Sequence, residues 1–182
     1  MRELLQSIVL DELDELAEKQ LREVIEQFQN LSSAVLLQPP ALGGWSIADC
    51  FEHLNSYAAF YLPRLQKAVQ KAPIVLGDTI FTYSLLGGYF IRLMDPQQSS
   101  KKMRAMKKHV PLKNRYAHEV VALFIQDMEL LLNLLKQCRQ RNLKSMRITT
   151  SISTLIRLNG GDALRFLLVH NERHLAQARR LL

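Results

Sequence analysis

The sequence predicts an all-α fold: a four-helix bundle with a long crossover between its second and third helices. Three observations carry that expectation. Apolar residues recur at three- and four-residue steps through four long segments. Helix-start signals stand before two of them. The stretch between the second and third, residues 73 to 113, is too long for a tight connection and suits a crossover. With 182 residues, 48% apolar and 23% charged, the chain is expected to form one domain over residues 1–182 with a substantial core.

The first helix is expected over residues 2 to 31, where Leu13, Leu16, Ala17, Leu21, Val24, Phe28 and Leu31 share a face and the acids turn outward. The chain then breaks at QPPALGG. Ser46, with Asp49 three residues on, forms a variant of the capping box. A second helix should follow to about Ala72, with a bend near Pro63. Within the crossover, TIFTYSLLGGYFIRLM reads as a short helix interrupted at Gly87-Gly88. Residues 114 to 141 give a third long helix through Val120, Leu123, Phe124, Leu130, Leu131, Leu134 and Leu135. A fourth starts after Asn159-Gly160-Gly161, with Asp162 as its cap, and reaches the C-terminus. There is no repeat at a fixed period and no low-complexity segment.

Charge is unevenly spread along the chain. The first 30 residues hold eight acids and three bases, so a net charge of +7 for the whole chain leaves +12 on the remainder. The densest part is residues 99–115, with Lys101, Lys102, Arg104, Lys107, Lys108, Lys113 and Arg115 and no acid. It has no interleaved aromatics and matches no nucleic-acid motif, so no specific nucleic-acid partner is expected. It reads either as a solvated connection or as a basic rim that attracts an anionic ligand. No run of about 18 uncharged apolar residues exists, and the acids near the N-terminus do not suit a signal peptide, so a cytoplasmic protein with no membrane partner is expected. The two cysteines, Cys50 and Cys138, are too few for a disulfide framework and read as free thiols.

Chemistry concentrates in HNERHLAQ, residues 170 to 177. At about 100° per residue, His174 returns to within roughly 40° of His170, one turn on. Both lie on a stripe of Ala163, Leu167, His170, His174, Ala178 and Leu181, where apolar residues belong. Alone, this pair is either two hydrogen-bonded core histidines or half of a metal site. A third donor stands on the second helix, where His53 shares a stripe with Cys50, Leu54, Tyr57 and Tyr61. Three neutral imidazoles from two facing helices can hold a divalent ion such as zinc, nickel or iron and leave positions open for water or substrate. A zincin protease motif is excluded. Asn171 stands where that motif has its glutamate, and Glu172 lies about 200° around the helix from His170, suited to surface charge or to a neighbouring helix.

Trp45-Ser46-Ile47-Ala48-Asp49 leading into Glu52-His53-Leu54, with Gly161 to His170 and then Arg173-His174-Leu175-Ala176-Gln177, resembles the DinB/YfiT-like superfamily over nearly the whole chain. The resemblance implies a four-helix bundle in which His53, His170 and His174 bind a divalent metal. It also implies an activity on a small-molecule substrate: thiol S-transfer or isomerisation with a low-molecular-weight thiol such as bacillithiol or mycothiol as cosubstrate, or metal-dependent hydrolysis. A bundle whose metal is structural, in a sensor or binding protein without turnover, is the remaining reading. Family members are often homodimers, and Leu85, Leu86, Tyr89 and Phe90 offer apolar surface for an interface or a pocket lid.

Other residues carry weaker signals. Cys50 either lines the pocket, ligates the metal or is an inert buried thiol. Tyr57 suits a hydrogen bond to a metal-bound group or a core position. Asp127 or Glu129 could orient a ligand histidine. His109 and His118 read as surface residues, and Arg64 and Arg165 as contacts for an anionic substrate.

Overall fold

Helix α1 begins only where a strand pairing lets it. In the computed structural model, which describes residues 3–99, 104–112 and 116–182, strand β1 (Leu4–Leu5) precedes α1 (Gln6–Gln27), followed by the short α2 (Ser33–Leu37) and the long α3 (Ile47–Lys71). Strand β2 (Ile80–Phe81) and α4 (Leu85–Met94) come next, with a 3-10 turn at Lys107–His109. Then follow α5 (Ala117–Cys138), a second 3-10 turn at Leu143–Ser145, β3 (Ile148–Thr149), β4 (Arg157–Leu158) and α6 (Gly160–Arg179). The chain is all-α in its core: α1, α3, α5 and α6 pack against one another, and α4 lies on α6. Two antiparallel pairs, β1 with β2 and β3 with β4, sit outside the bundle.

The expected helix boundaries shift for identifiable reasons. β1 pairs Leu4 with Phe81, and the Gln6 amide donates to the Thr79 carbonyl at 2.8 Å, so residues before Gln6 are extended rather than helical. At its other end α1 stops at Gln27, with Phe28 as cap, and leaves Leu31 outside the helix. α3 starts as expected. Ser46 Oγ accepts from the Asp49 amide at 3.1 Å and Asp49 Oδ2 accepts from the Ser46 amide at 2.9 Å, satisfying two donors that the first helical turn leaves free. The helix runs on through Pro63 to Lys71. The cap of α6 is Asn159, not Asp162: Asn159 Oδ1 accepts from the Asp162 amide at 2.8 Å.

Asp162 is instead a buried link. Its carboxylate accepts from the Ser84 amide at 3.1 Å and the Ser84 hydroxyl at 2.6 Å, while Ser84 Oγ accepts from the Gly87 amide at 2.9 Å and so caps α4. The glycines expected to interrupt the crossover helix therefore do not. Gly87 is needed because a Cβ there would lie 2.1 Å from Asp162 Cγ, whereas a Cβ on Gly88 would meet nothing nearer than Arg92 Nη1 at 3.6 Å.

Two further sets of contacts join the bundle. Phe28, Phe51 and Phe124 form an edge-to-face chain at 5.4 and 5.2 Å that connects the end of α1 with α3 and α5. The outward acids of α1 meet bases from two neighbours: Arg139 bridges Asp11 and Asp14, each at 2.8 Å, Arg165 reaches Glu12 at 3.3 Å, and Arg179 reaches Glu23 at 2.5 Å. Such partly exposed pairs are worth little each, and here they mainly fix orientation. Of the basic stretch, Lys101, Lys102, Lys113 and Arg115 lie outside the described residues, while Arg104, Lys107 and Lys108 are exposed.

The two adjacent glycines make a sharp pair of tests. Gly87→Ala should destabilise the protein by about 2 kcal/mol, because Asp162 cannot yield without losing Ser84, lowering the melting temperature by roughly 4–8 °C. Gly88→Ala should stabilise it by about 0.5–1 kcal/mol through helix propensity alone. Thermal unfolding of the two variants in parallel measures both, and equal shifts would refute the assigned role of Asp162.

Candidate metal centre

His53 projects from α3 and His170 and His174 from α6, and the pairing of these two helices brings all three together. One ring nitrogen from each lies within 4.8 Å of the others, and His53 Nε2 and His170 Nε2 are 3.3 Å apart. His53 and His170 are 3% exposed, and His174 is partly buried. Aromatic rings wall the group: Trp45 stands 4.7 Å from His53 and 5.6 Å from His174 between centroids, Tyr57 4.2 Å from His170, and Phe166 stacks parallel to His170 at 5.9 Å.

The partners of the outer nitrogens decide what the inner ones offer. His53 Nδ1 sits 2.6 Å from the carbonyl oxygen of His109, which can only accept, so Nδ1 carries the proton and Nε2 presents a lone pair. His174 Nδ1 lies 3.2 Å from Gln177 Oε1, which assigns the same tautomer. Ser56 bonds the His53 carbonyl at 2.7 Å and His109 Nδ1 at 2.9 Å, and so ties the supporting turn to α3. Among the described residues the buried Nδ1 of His170 has no hydrogen-bond partner.

Burial keeps the cluster uncharged. Desolvation is the first cause of a lowered pKa at His53, opposed by the His109 carbonyl. It drives His170 well below its usual value, helped by the neighbouring histidines, and brings His174 down to about 3. Neutral imidazole is the ligating form. Donors at the usual zinc–nitrogen length of about 2.0–2.1 Å around a tetrahedral ion stand roughly 3.4 Å apart, close to the observed 3.3 Å pair. Donor type and charge therefore fit a divalent ion held by three nitrogens, with the tautomer set at His53 and His174 and one pair of nitrogens at ligand spacing.

A sequence-family model described as the DinB superfamily matches residues 13–178. The chain belongs to the DinB superfamily. No curated protein and no solved structure matches it.

In this DinB chain several expected roles move to other residues. His109, expected at the surface, is 3% exposed, with its ring 4.0 Å from Tyr57, because its carbonyl must reach His53. Nothing in the aperiodic KKHVP run signals that inward turn. His118 is exposed as expected. Among the described residues neither Asp127 nor Glu129 bonds a clustered histidine. Asp127 is half-buried beside Asn171 and Met128, with its carboxyl pushed up to about 6 by desolvation, and Glu129 is exposed. The orienting groups are the His109 carbonyl and Gln177. Cys50 is buried, its thiol pushed up to about 12 by desolvation and then by Asp49, and it is not one of the clustered donors. Glu172 turns away from the cluster to Arg179 at 2.5 Å, and Arg165 is taken by Glu12. Trp45, noted in the sequence for its motif, forms part of the wall.

These lowered pKa values fix the sign of the acid response. Between an unfolded value of about 6.5 and the folded values of His174 near 3 and His109 near 4, the unfolded chain binds more protons, so stability falls as pH falls. Chelator-treated protein should lose about 5 °C or more of melting temperature between pH 7 and pH 4.5. A melting temperature that stays flat over that range would contradict burial of neutral histidines.

Proposed function

We propose that this DinB protein is a divalent-metal enzyme of the thiol S-transferase type, with His53, His170 and His174 holding zinc, nickel or iron. The observation that carries the reading is the all-histidine donor set: three neutral nitrogens and no carboxylate. Such a set leaves the ion's charge uncompensated and coordination positions open, and when bound the ion would lower the pKa of a thiol or a water.

The chain's own groups favour thiol over water. Among the described residues no carboxylate belongs to the donor cluster, and Glu172 is engaged by Arg179. The nearest cysteine, Cys50, is held as a neutral thiol, so the sulfur nucleophile must arrive on a small molecule. In the transfer, a thiolate sulfur forms a bond to an electrophilic carbon while the leaving group departs with the electron pair of the broken bond; the thiol's proton has already passed to solvent. His109 and Gln177 hold the ligand rings in orientation, and Trp45, Tyr57 and Phe166 keep bulk water from them. The same reading takes the chain as one four-helix-bundle domain over residues 1–182 with its crossover between α3 and α5. It also takes the protein as a cytoplasmic homodimer joined through the exposed Leu85, Leu86 and Tyr89 of α4. Among the described residues no helix is long and apolar enough to cross a membrane.

Elemental analysis of tag-free protein, purified without chelator, should find about one such ion per chain, lost in each of His53→Ala, His170→Ala and His174→Ala. Loading should also change the emission of Trp45, the single tryptophan, which stands against two of the ligands. With a panel of small thiols and an aryl halide electrophile, turnover should fall at least about 100-fold in the same variants. Metal-dependent ester hydrolysis without thiol consumption would replace transfer by hydrolysis. A metal that raises the melting temperature without any turnover would leave a binding protein, and protein that cannot be loaded would end the metal reading.

A further inference from the structure

A cavity lined by none of the three clustered histidines is chemically unlike their site. It encloses about 460 Å³ between α3, the turn carrying Lys108 and the β3–β4 hairpin. Three cations face it, Arg64, Lys108 and Arg157, and no acid lines it. Two of these charges share one ring: the Arg64 guanidinium lies 3.7 Å and the Lys108 ammonium 5.1 Å from the centroid of Phe60. Arg64 is held there by a 2.6 Å bond to the Phe60 carbonyl, and none of the three meets a carboxylate among the described residues. Like charges gathered around one recess repel, and an anion between them relieves the repulsion.

A second observation points the same way. Ser151 lines this cavity at 2% exposure, and its Oγ is buried without a hydrogen-bond partner. Its side chain influences the ionisation of both Tyr57 and Tyr61 but meets the geometry of no bond to either hydroxyl. A buried hydroxyl left unpaired is costly, and an acceptor in the cavity would satisfy it. Backbone geometry fixes the serine: its amide donates to the Tyr61 hydroxyl at 3.1 Å, which docks the hairpin on α3.

We propose that this cleft binds a small anion bearing phosphate or carboxylate groups, gripped by Arg64, Lys108 and Arg157 and accepting a hydrogen bond from Ser151. The volume suits a small molecule rather than a polymer. The site is separated from the ligand histidines by the Tyr57, Tyr61 and His109 rings, with Phe60 6.4 Å from His109 on the cleft side. The inference stands whether or not those histidines hold a metal.

The test is titration calorimetry of the full chain with inorganic phosphate and, separately, succinate, each before and after chelator treatment. One saturable site for either probe is expected, unchanged by chelation, and the tighter probe identifies the anion class. Arg64→Ala and Arg157→Ala should each weaken binding about 10-fold, and Ser151→Ala about 3-fold, with Lys67→Ala as an exposed control. Thermal melts of the variants must match wild type, and because Arg64 and Arg157 stand on different elements, one suffices if the other fails to fold. Linear, unsaturable heats with both probes would overturn the proposal. So would affinities indifferent to Arg64 and Arg157, or a random duplex bound more tightly than either probe with steep salt dependence.

Discussion

Everything at the candidate centre depends on burying three imidazoles between α3 and α6 without charging them. A protonated histidine there would be an unpaired ion in a dry interior, at a cost of several kcal/mol. The fold meets the constraint with acceptors instead of carboxylates. The His109 carbonyl and Gln177 Oε1 each accept a hydrogen bond from the Nδ1–H of one ring and leave its opposite nitrogen free. A carboxylate in either place would favour the imidazolium. The orienting groups thus select protonation state as well as direction. The unmatched Nδ1 of His170 is the one polar atom of the cluster for which the described protein offers nothing.

Much of this was legible because helices report their buried face through spacing. The stripe Cys50, His53, Leu54, Tyr57 and Tyr61 is buried throughout, and the second stripe places His170 beside His53. The Ser46–Asp49 box was readable because it is local, four residues closing on themselves. What could not be read lies where local pattern and distant contact disagree. Gly87 looks like a helix breaker but admits a carboxylate from a residue 75 positions on. Asp162 looks like a cap but serves Ser84. His109 sits in a basic, aperiodic run whose turn inward is set by a backbone carbonyl, and no side-chain pattern reports on carbonyls. The two strand pairs, each two residues a side, are too short for alternation to register.

The segment between α3 and α5 is thereby more than a tether. It supplies the carbonyl on His53, the Lys108 charge on Phe60 and the α4 helix on α6. Acids of α1 are drawn off into pairs with Arg139, Arg165 and Arg179, while among the described residues Lys108 and Arg157 meet no carboxylate. The isoelectric point near 9.6 follows from 24 lysines and arginines against 17 acids, and no nucleic-acid motif accompanies it.

Asp162 ties two helix beginnings together: its carboxylate accepts from Ser84 at the start of α4, and its amide donates to Asn159 at the start of α6. Neither first turn can fray without stranding a buried acid that the other still holds. Opening at the start of α4 and unwinding of the helix that carries His170 and His174 are therefore coupled, and the amides of both turns should exchange as a single unit whose protection rises and falls together.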